Sequence, residues 1–307
     1  MSLLPFRAPR GRAASAPRPV AVVLSGGGSA GAAQAGMLSA LFDAGVRPDF
    51  LVGCSVGALN AAVVAVDPSP ERVAELAVLW RRLTAREVFG SGSVRRMLNL
   101  VRRRDHLCAP DALRRLVREW VPITDLSETA IPVHVITTDL HTGRAAWWSA
   151  GDAQSILTAS ACLPGVFPPV ALGDSRHVDG GVSDGVPIDR AVELGAATVW
   201  VLDVTSDDPL PHERRLSALD VLLRSFTISR ASRRADGELV ERGITVHHIR
   251  VPATAGLDPR DFSRSAELVD AGYAATKAFV EALSAPPPTE REQRARRLPR
   301  LRRAPAA

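Results

Sequence analysis

Twice within the first 66 residues a short aliphatic run stops at a glycine-rich turn and resumes as a stretch of small apolar residues. The run 20–24 leads through Ser25–Gly31 into 30–44, and the run 49–53 leads through Ser55 and Gly57 into 56–66. An aliphatic run this short, without polar alternation, reads as a strand buried on both faces, and such strands belong to parallel sheets covered by helices. Ala, Met and Leu dominate 30–44, and Gly45 follows as a C-cap, so that stretch is expected to be helical; so is 56–66, which stops before Asp67-Pro68. Repeated strand–turn–helix units confine the chain to the α/β class, with a mainly parallel sheet and helices on both faces.

The alternation continues along the chain. Further strands are expected at 131–138, 145–149, 198–204 and 244–251, where β-branched and aromatic residues concentrate. Helices are expected at 70–83, 111–120, 152–160, 187–194, within 213–242 and at 261–283. No internal repeat is present. Residues 1–19 and 285–307 are rich in Pro, Ala and Arg and keep no apolar period, which marks them as flexible basic tails around a single body, 20–284.

The net charge of +5 misleads until it is divided along the chain. Arg7, Arg10, Arg12 and Arg18 have no acidic neighbour in the first tail, and seven Arg face Glu290 and Glu292 in the last. The body is therefore acidic overall, although eleven Arg face Glu87, Asp105 and Asp111 between Arg81 and Arg118. That segment is a basic patch on an acidic body. It also holds Val88-Phe89, Val94, Met97-Leu98 and Leu100-Val101, an apolar-plus-Arg mixture suited to an anionic lipid surface. A solvated helical hairpin with its arginines outside accounts for it as well. With 5% aromatic residues and no reader motif, no specific nucleic-acid partner is expected.

Cys54, Cys108 and Cys162 are scattered without metal-ligand or disulfide spacing, so neither a bound metal nor a disulfide scaffold is expected. No secretory h-region stands in the basic, Pro-rich N-terminal stretch. The longest apolar run, 51–66, is broken by Cys, Ser, Gly and Asn60 and falls short of the roughly 20 residues that span a bilayer. The expectation is a cytoplasmic protein, at most peripheral to a membrane.

Three local features can carry chemistry. Gly53-Cys-Ser55-Val56-Gly57 lies between strand and helix, where a tight turn exposes a serine hydroxyl and aims the Val56 amide at a developing oxyanion. Ser25-Gly26-Gly27-Gly28-Ser29-Ala30-Gly31 also lies between strand and helix, where successive amides and the helix dipole make a nest for a phosphate or an oxyanion. It lacks the Lys of a P-loop; Gly26, Gly28 and Gly31 do keep dinucleotide-binding spacing, with Asp43 or Asp49 as the acid. Asp179-Gly180-Gly181 puts a carboxylate on a tight loop. Each alone reads equally as an ordinary turn. In this order on an α/β chain they supply a nest, a nucleophile and a carboxylate, the components of acyl transfer.

In these motifs the chain resembles the patatin-like phospholipase family, whose hallmarks are Gly-x-Gly-x-x-Gly, Gly-x-Ser-x-Gly and Asp-Gly-Gly/Ala. Gln34-Ala-Gly-Met-Leu38, Ala44-Gly-Val-Arg-Pro-Asp49, Ser160-Ala-Cys-Leu-Pro164 and Phe167-Pro-Pro169 extend the likeness, which is close over about 20–190. The resemblance implies a three-layer α/β/α fold with a mainly parallel central sheet and a serine nucleophile elbow. It also implies a cofactor-free lipid acyl hydrolase acting through a Ser55–Asp179 dyad without histidine. Asp179 would accept the Ser55 proton, in a site desolvated enough to raise a carboxylate from its usual pKa of about 3.9. The oxyanion hole would be drawn from Gly26, Gly27, Gly28, Ser29, Gly31 and Val56, with Gly53, Gly57, Gly180 and Gly181 supporting the turns. One position departs from the family pattern: relatives often carry Arg or Lys just before the last glycine of the first motif, and this chain has Ala30. The nest is kept and a cationic contribution to anion binding is lost.

Two other readings follow from the same residues. His212, His247 and His248 come after Asp179, an order that also suits a Ser-Asp-His esterase or thioesterase, whereas His177 is expected to face away from the aspartate. A lipid- or acyl-binding module with little turnover is the other, and Ala30 gives it some weight. Headgroup, acyl chain and oligomeric state have no signature in the sequence.

Overall fold

The computed structural model describes residues 19–90, 106–205 and 243–284, with positions 221, 224, 225 and 228 between the last two segments. Strands β1 (Val20–Leu24) and β2 (Phe50–Cys54) are buried almost throughout, as their unalternating aliphatic sequences require. They pair in parallel within an eight-stranded sheet of order β5-β6-β3-β2-β1-β7-β8, with β4 also on β3. The other strands are β3 (Val133–Asp139), β4 (Ala145–Trp148), β5 (Val170–Leu172), β6 (Ser175–Asp179), β7 (Thr198–Asp203) and β8 (Thr245–Arg250). The run β3-β2-β1-β7-β8 is parallel, while β4, β5 and β6 join antiparallel.

Strand alternation divides the core in two. Val22, Leu24, Val135 and Leu202 face the larger cluster, and Ala21, Val23, Val52 and Val201 face the smaller. Over the larger face lie α1 (Gly31–Asp43), α2 (Val56–Val66), α3 (Pro70–Arg82), α5 (Asp111–Trp120), α6 (Ala153–Ser160) and α8 (Ser265–Ser284), and α4 (Ala85–Phe89) adds a partly buried turn. Helix α7 (Ile188–Glu193) covers the other face through Ile188 and Ala191. The result is the three-layer α/β/α architecture expected from the motifs.

Local chemistry explains the element ends. Helix α3 starts at Pro70 with the Ser69 hydroxyl accepting from Arg72 N–H, and it ends with Arg81 and Arg82 at the negative pole of its dipole. Helix α5 places Leu113, Leu116, Val117 and Trp120 inward at 3–4-residue spacing and leaves Arg114, Arg115 and Arg118 outside. The described helices match the expected stretches within a few residues. Helix α4 and strand β5 had no strong sequence signal, because runs of five and three residues are too short to show a period. Most of 213–242, both tails except residue 19, and 91–105 lie outside the described residues. Among the described residues no helix is long and apolar enough to cross a membrane.

Candidate active site

Ser55 follows β2 directly and caps α2 with φ 55° and ψ −125°; among the described residues it is the one non-glycine with positive φ. The sheet explains why the chain must leave there. Residues 135–138 of β3 pair with β4, so β2, on 133–136, and β6, on 137–139, must share the opposite edge of β3. Cys54 lies opposite Ile136 and Asp179 opposite Thr137, consecutive positions. The two strands thus arrive from opposite directions and meet end to end. The place Ser55 would take beside Thr137 is filled by Asp179, and Ser55 is turned out of the sheet.

The hydroxyl of Ser55 donates to Asp179 Oδ2 at 2.6 Å. Both side chains are buried, 7% and 3% exposed, which strengthens the contact by excluding water. The other carboxylate oxygen, Oδ1, accepts from Gly181 N–H at 2.7 Å, and Asp179 N–H donates to Cys162 O at 2.9 Å. Ser160 Oγ accepts from Ser55 N–H at 3.0 Å and donates to Ile136 O at 2.7 Å, tying the elbow to β3. Gly53 lies within β2 under the first turn of α2, and Gly180 opens the turn after Asp179 against the Ile136 carbonyl. At Gly57 a Cβ would come within 2.4 Å of Leu24 O and 2.5 Å of Ser25 O, so the absence of a side chain lets the elbow press directly on the end of β1.

The glycine turn after β1 uses its candidate donors unequally. Gly26 N–H is committed to Gly185 O at 2.9 Å, Ser29 N–H to Pro259 O at 2.9 Å, and Gly31 N–H to carbonyls of its own turn. The Ser29 hydroxyl donates to Asp258 O. Three of the six candidate oxyanion donors, Gly26, Ser29 and Gly31, thus use their N–H groups to hold the turn together. The amides of Gly27, Gly28 and Val56 have no hydrogen-bond partner among the described residues. Gly28 has φ +60°, and a Cβ there would meet Pro259 O at 2.5 Å, so glycine is required both for the backbone and for the packing.

The histidines lie elsewhere. His247 packs at a tilt against Trp200 with ring centroids 4.1 Å apart, and His248 Nε2 contacts Asp203 Oδ2 at 2.9 Å. Their strand, β8, is three positions from β2 in the sheet, roughly 14 Å away. His212 is outside the described residues. The expectation that His177 faces away from the aspartate is corrected: strand alternation gives it the same face as Asp179, but its Nδ1 sits 3.0 Å from Thr137 Oγ1 and its ring lies edge-on to Trp148. Burial lowers the pKa of both His177 and His247. Burial, and then the charge of Asp179, push the Cys162 thiol up to about 12. All three cysteines are buried, and among the described residues no group of three or more His, Cys, Asp or Glu could hold a metal.

Sequence reasoning missed Ser160 as the residue that seats the Ser55 amide, and it missed Asp258 and Pro259, which cap the glycine turn from more than 200 residues away. Ser160 had a weak signal, standing just before Ala-Cys-Leu-Pro. Asp258 and Pro259 had none. In the basic segment, Arg81 forms an ion pair with Asp270, and Arg114, Arg115 and Arg118 project from α5.

The family model described as "Patatin-like phospholipase" matches residues 22–192. Patatin-like phospholipase domain-containing protein 6 of Homo sapiens is 28% identical over 191 residues, covering 62% of this chain and 14% of that protein. Lysophospholipase nte1 of Aspergillus niger is 28% identical over 306 residues, covering 90% of this chain and 19% of that protein. The chain thus spans a small part of the length of these curated relatives. Among solved structures, VipD from Legionella pneumophila has a TM-score of 0.46 and 14% identity, covering 87% of this chain and 68% of that one.

Proposed function

The chain belongs to the patatin-like phospholipase family, and from that premise we propose that it is a serine acyl hydrolase that cleaves fatty-acyl esters of lipids through Ser55 and Asp179. The observation that carries this reading is the 2.6 Å hydrogen bond from Ser55, in its left-handed turn, to the buried Asp179 carboxylate. Asp179 Oδ2 takes the hydroxyl proton as Ser55 Oγ attacks the ester carbonyl. The developing oxyanion is met by the Gly27, Gly28 and Val56 amides, each such donor contributing about 2.7–4 kcal/mol to the transition state. Collapse expels the alcohol, which takes the proton from Asp179 and leaves an acyl-serine. Asp179 then accepts a proton from water, the hydroxide equivalent attacks the acyl-serine, and the fatty acid leaves as Ser55 regains its proton. The Gly181 amide on Oδ1 keeps Oδ2 turned towards the serine.

The substrate is a lipid ester. The body 20–284 acts as the hydrolase domain and the arginine-rich segment 81–118 as a docking face for anionic lipid, in a cytoplasmic protein that meets membranes peripherally. A fluorophosphonate probe tests the centre. Stoichiometric labelling of the wild type should be lost in Ser55→Ala. Hydrolysis in Asp179→Asn should fall by about a thousandfold or more, and His247→Ala and His248→Ala should keep most of their turnover. Activity that survives Asp179→Asn but disappears with either histidine would establish the Ser-Asp-His alternative. No labelling at all would favour the lipid-binding module.

A further inference from the structure

We infer that Gln34 and Asn60 are positioning residues for catalysis, holding the glycine turn after β1 in register with the helix that begins at Ser55; this rests on the acyl-hydrolase reading above. Gln34 on α1 and Asn60 on α2 are fully buried, and Trp80 on α3 is 1% exposed. Gln34 Nε2 donates to Ser25 O at 2.8 Å and to Leu202 O at 3.2 Å. Asn60 Nδ2 donates to Gly31 O at 3.0 Å and to Gln34 Oε1 at 3.0 Å, and Asn60 Oδ1 accepts from Trp80 Nε1 at 2.8 Å. The carbonyls at both ends of the turn, Ser25 and Gly31, are therefore gripped by two side chains that also grip each other.

The network permits one arrangement. Trp80 N–H requires an acceptor, which turns Asn60 Oδ1 towards it and Asn60 Nδ2 towards the Gln34 oxygen; Gln34 Nε2 must then face the ends of β1 and β7. Apolar side chains would fill the same volume at a lower desolvation cost, so what the two amides add is direction. From Trp80 a second route reaches the turn. Its ring stacks on Phe262 at 6.2 Å and 7°, and the segment before Phe262 carries Pro259, whose carbonyl accepts Ser29 N–H and lies over Gly28. The Gly27 and Gly28 amides are thus held from α2 and α3, through side chains that touch no reacting atom.

Gln34→Glu and Asn60→Asp test the inference, because each keeps its shape and its acceptor and loses its donors. Val199→Ala in the smaller core serves as a control for loss of stability alone. The expected result is a kcat about tenfold to a hundredfold below wild type with KM changed less than about threefold, and fluorophosphonate labelling slowed in proportion but still complete. Trp80→Phe, which removes the outermost bond and keeps a ring against Phe262, should lower kcat about severalfold and decides the matter if the other two variants do not fold. Variants whose kcat stays within about twofold of Val199→Ala overturn the inference and leave the hydrolase reading intact. A wild type that neither hydrolyses esters nor labels at Ser55 overturns both.

Discussion

Ser55 holds a backbone conformation that costs an ordinary residue roughly 1–3 kcal/mol, and the packing of Gly57 on β1 together with the Ser160 contact keeps it there. That cost can be measured apart from the hydroxyl. Ser55→Ala and Ser55→Gly both lose the bond to Asp179, but alanine retains the strained dihedrals and glycine tolerates them, so the glycine variant should be the more stable by about 1 kcal/mol in urea unfolding. Equal stabilities would mean that the elbow stores no strain. At this scale the serine, the carboxylate and the glycines were legible in the sequence, because each belongs to a short contiguous motif. Gln34, Asn60, Ser160 and Pro259 were not. Their contacts reach partners up to 230 positions away, and their neighbours in sequence, weakly suggestive for Ser160, do not reveal those partners.

At the scale of elements, β1, β2 and β7 and the helices following β1 and β2 were readable because continuous aliphatic runs and glycine punctuation have few other uses. The pairing of β6 was not readable, since nothing local says that a strand ending at residue 179 will occupy the edge of β3 that β2 vacates. Strand β8 supports a prediction of its own. Burial against Trp200 lowers the pKa of His247 below its unfolded value of about 6.5. As the pH falls through that value the unfolded chain binds a proton that the folded chain refuses, so stability declines until the folded imidazole also titrates. His247→Phe, which keeps a ring on Trp200, should lose less Tm than the wild type between about pH 7.5 and pH 5.5. An identical loss in both proteins would assign the acid sensitivity elsewhere, with His177, also lowered by burial, next in line.

Over the whole molecule, charge and the candidate site are arranged separately. The motifs lie in a body whose overall charge is negative, and the arginines concentrate in the tails and in 81–118. The described part of that segment agrees with an amphipathic helix, α5, that buries its apolar side and exposes Arg114, Arg115 and Arg118. If those arginines form the docking face, the full chain should sediment with phosphatidylserine-containing vesicles at low salt and be released at about 1 M salt, where the Debye length is about 3 Å. Replacing Arg114, Arg115 and Arg118 together by alanine should weaken that binding and leave hydrolysis of a soluble ester unchanged. Sedimentation indifferent to both salt and anionic lipid would remove the docking face.

The end-to-end meeting of β2 and β6 on one edge of β3 also has a kinetic consequence. Ser55 and Asp179 are 124 positions apart, and neither strand can supply the other's half of the proposed dyad. On the proposed mechanism, a refolding chain that has assembled β1, β2 and β3 holds a nucleophile with no base until β6 docks on the last three residues of β3. Recovery of hydrolysis after dilution from denaturant therefore times that docking event, a long-range closure slower than the local helices around it. An enzyme assay becomes a clock for the completion of one sheet edge.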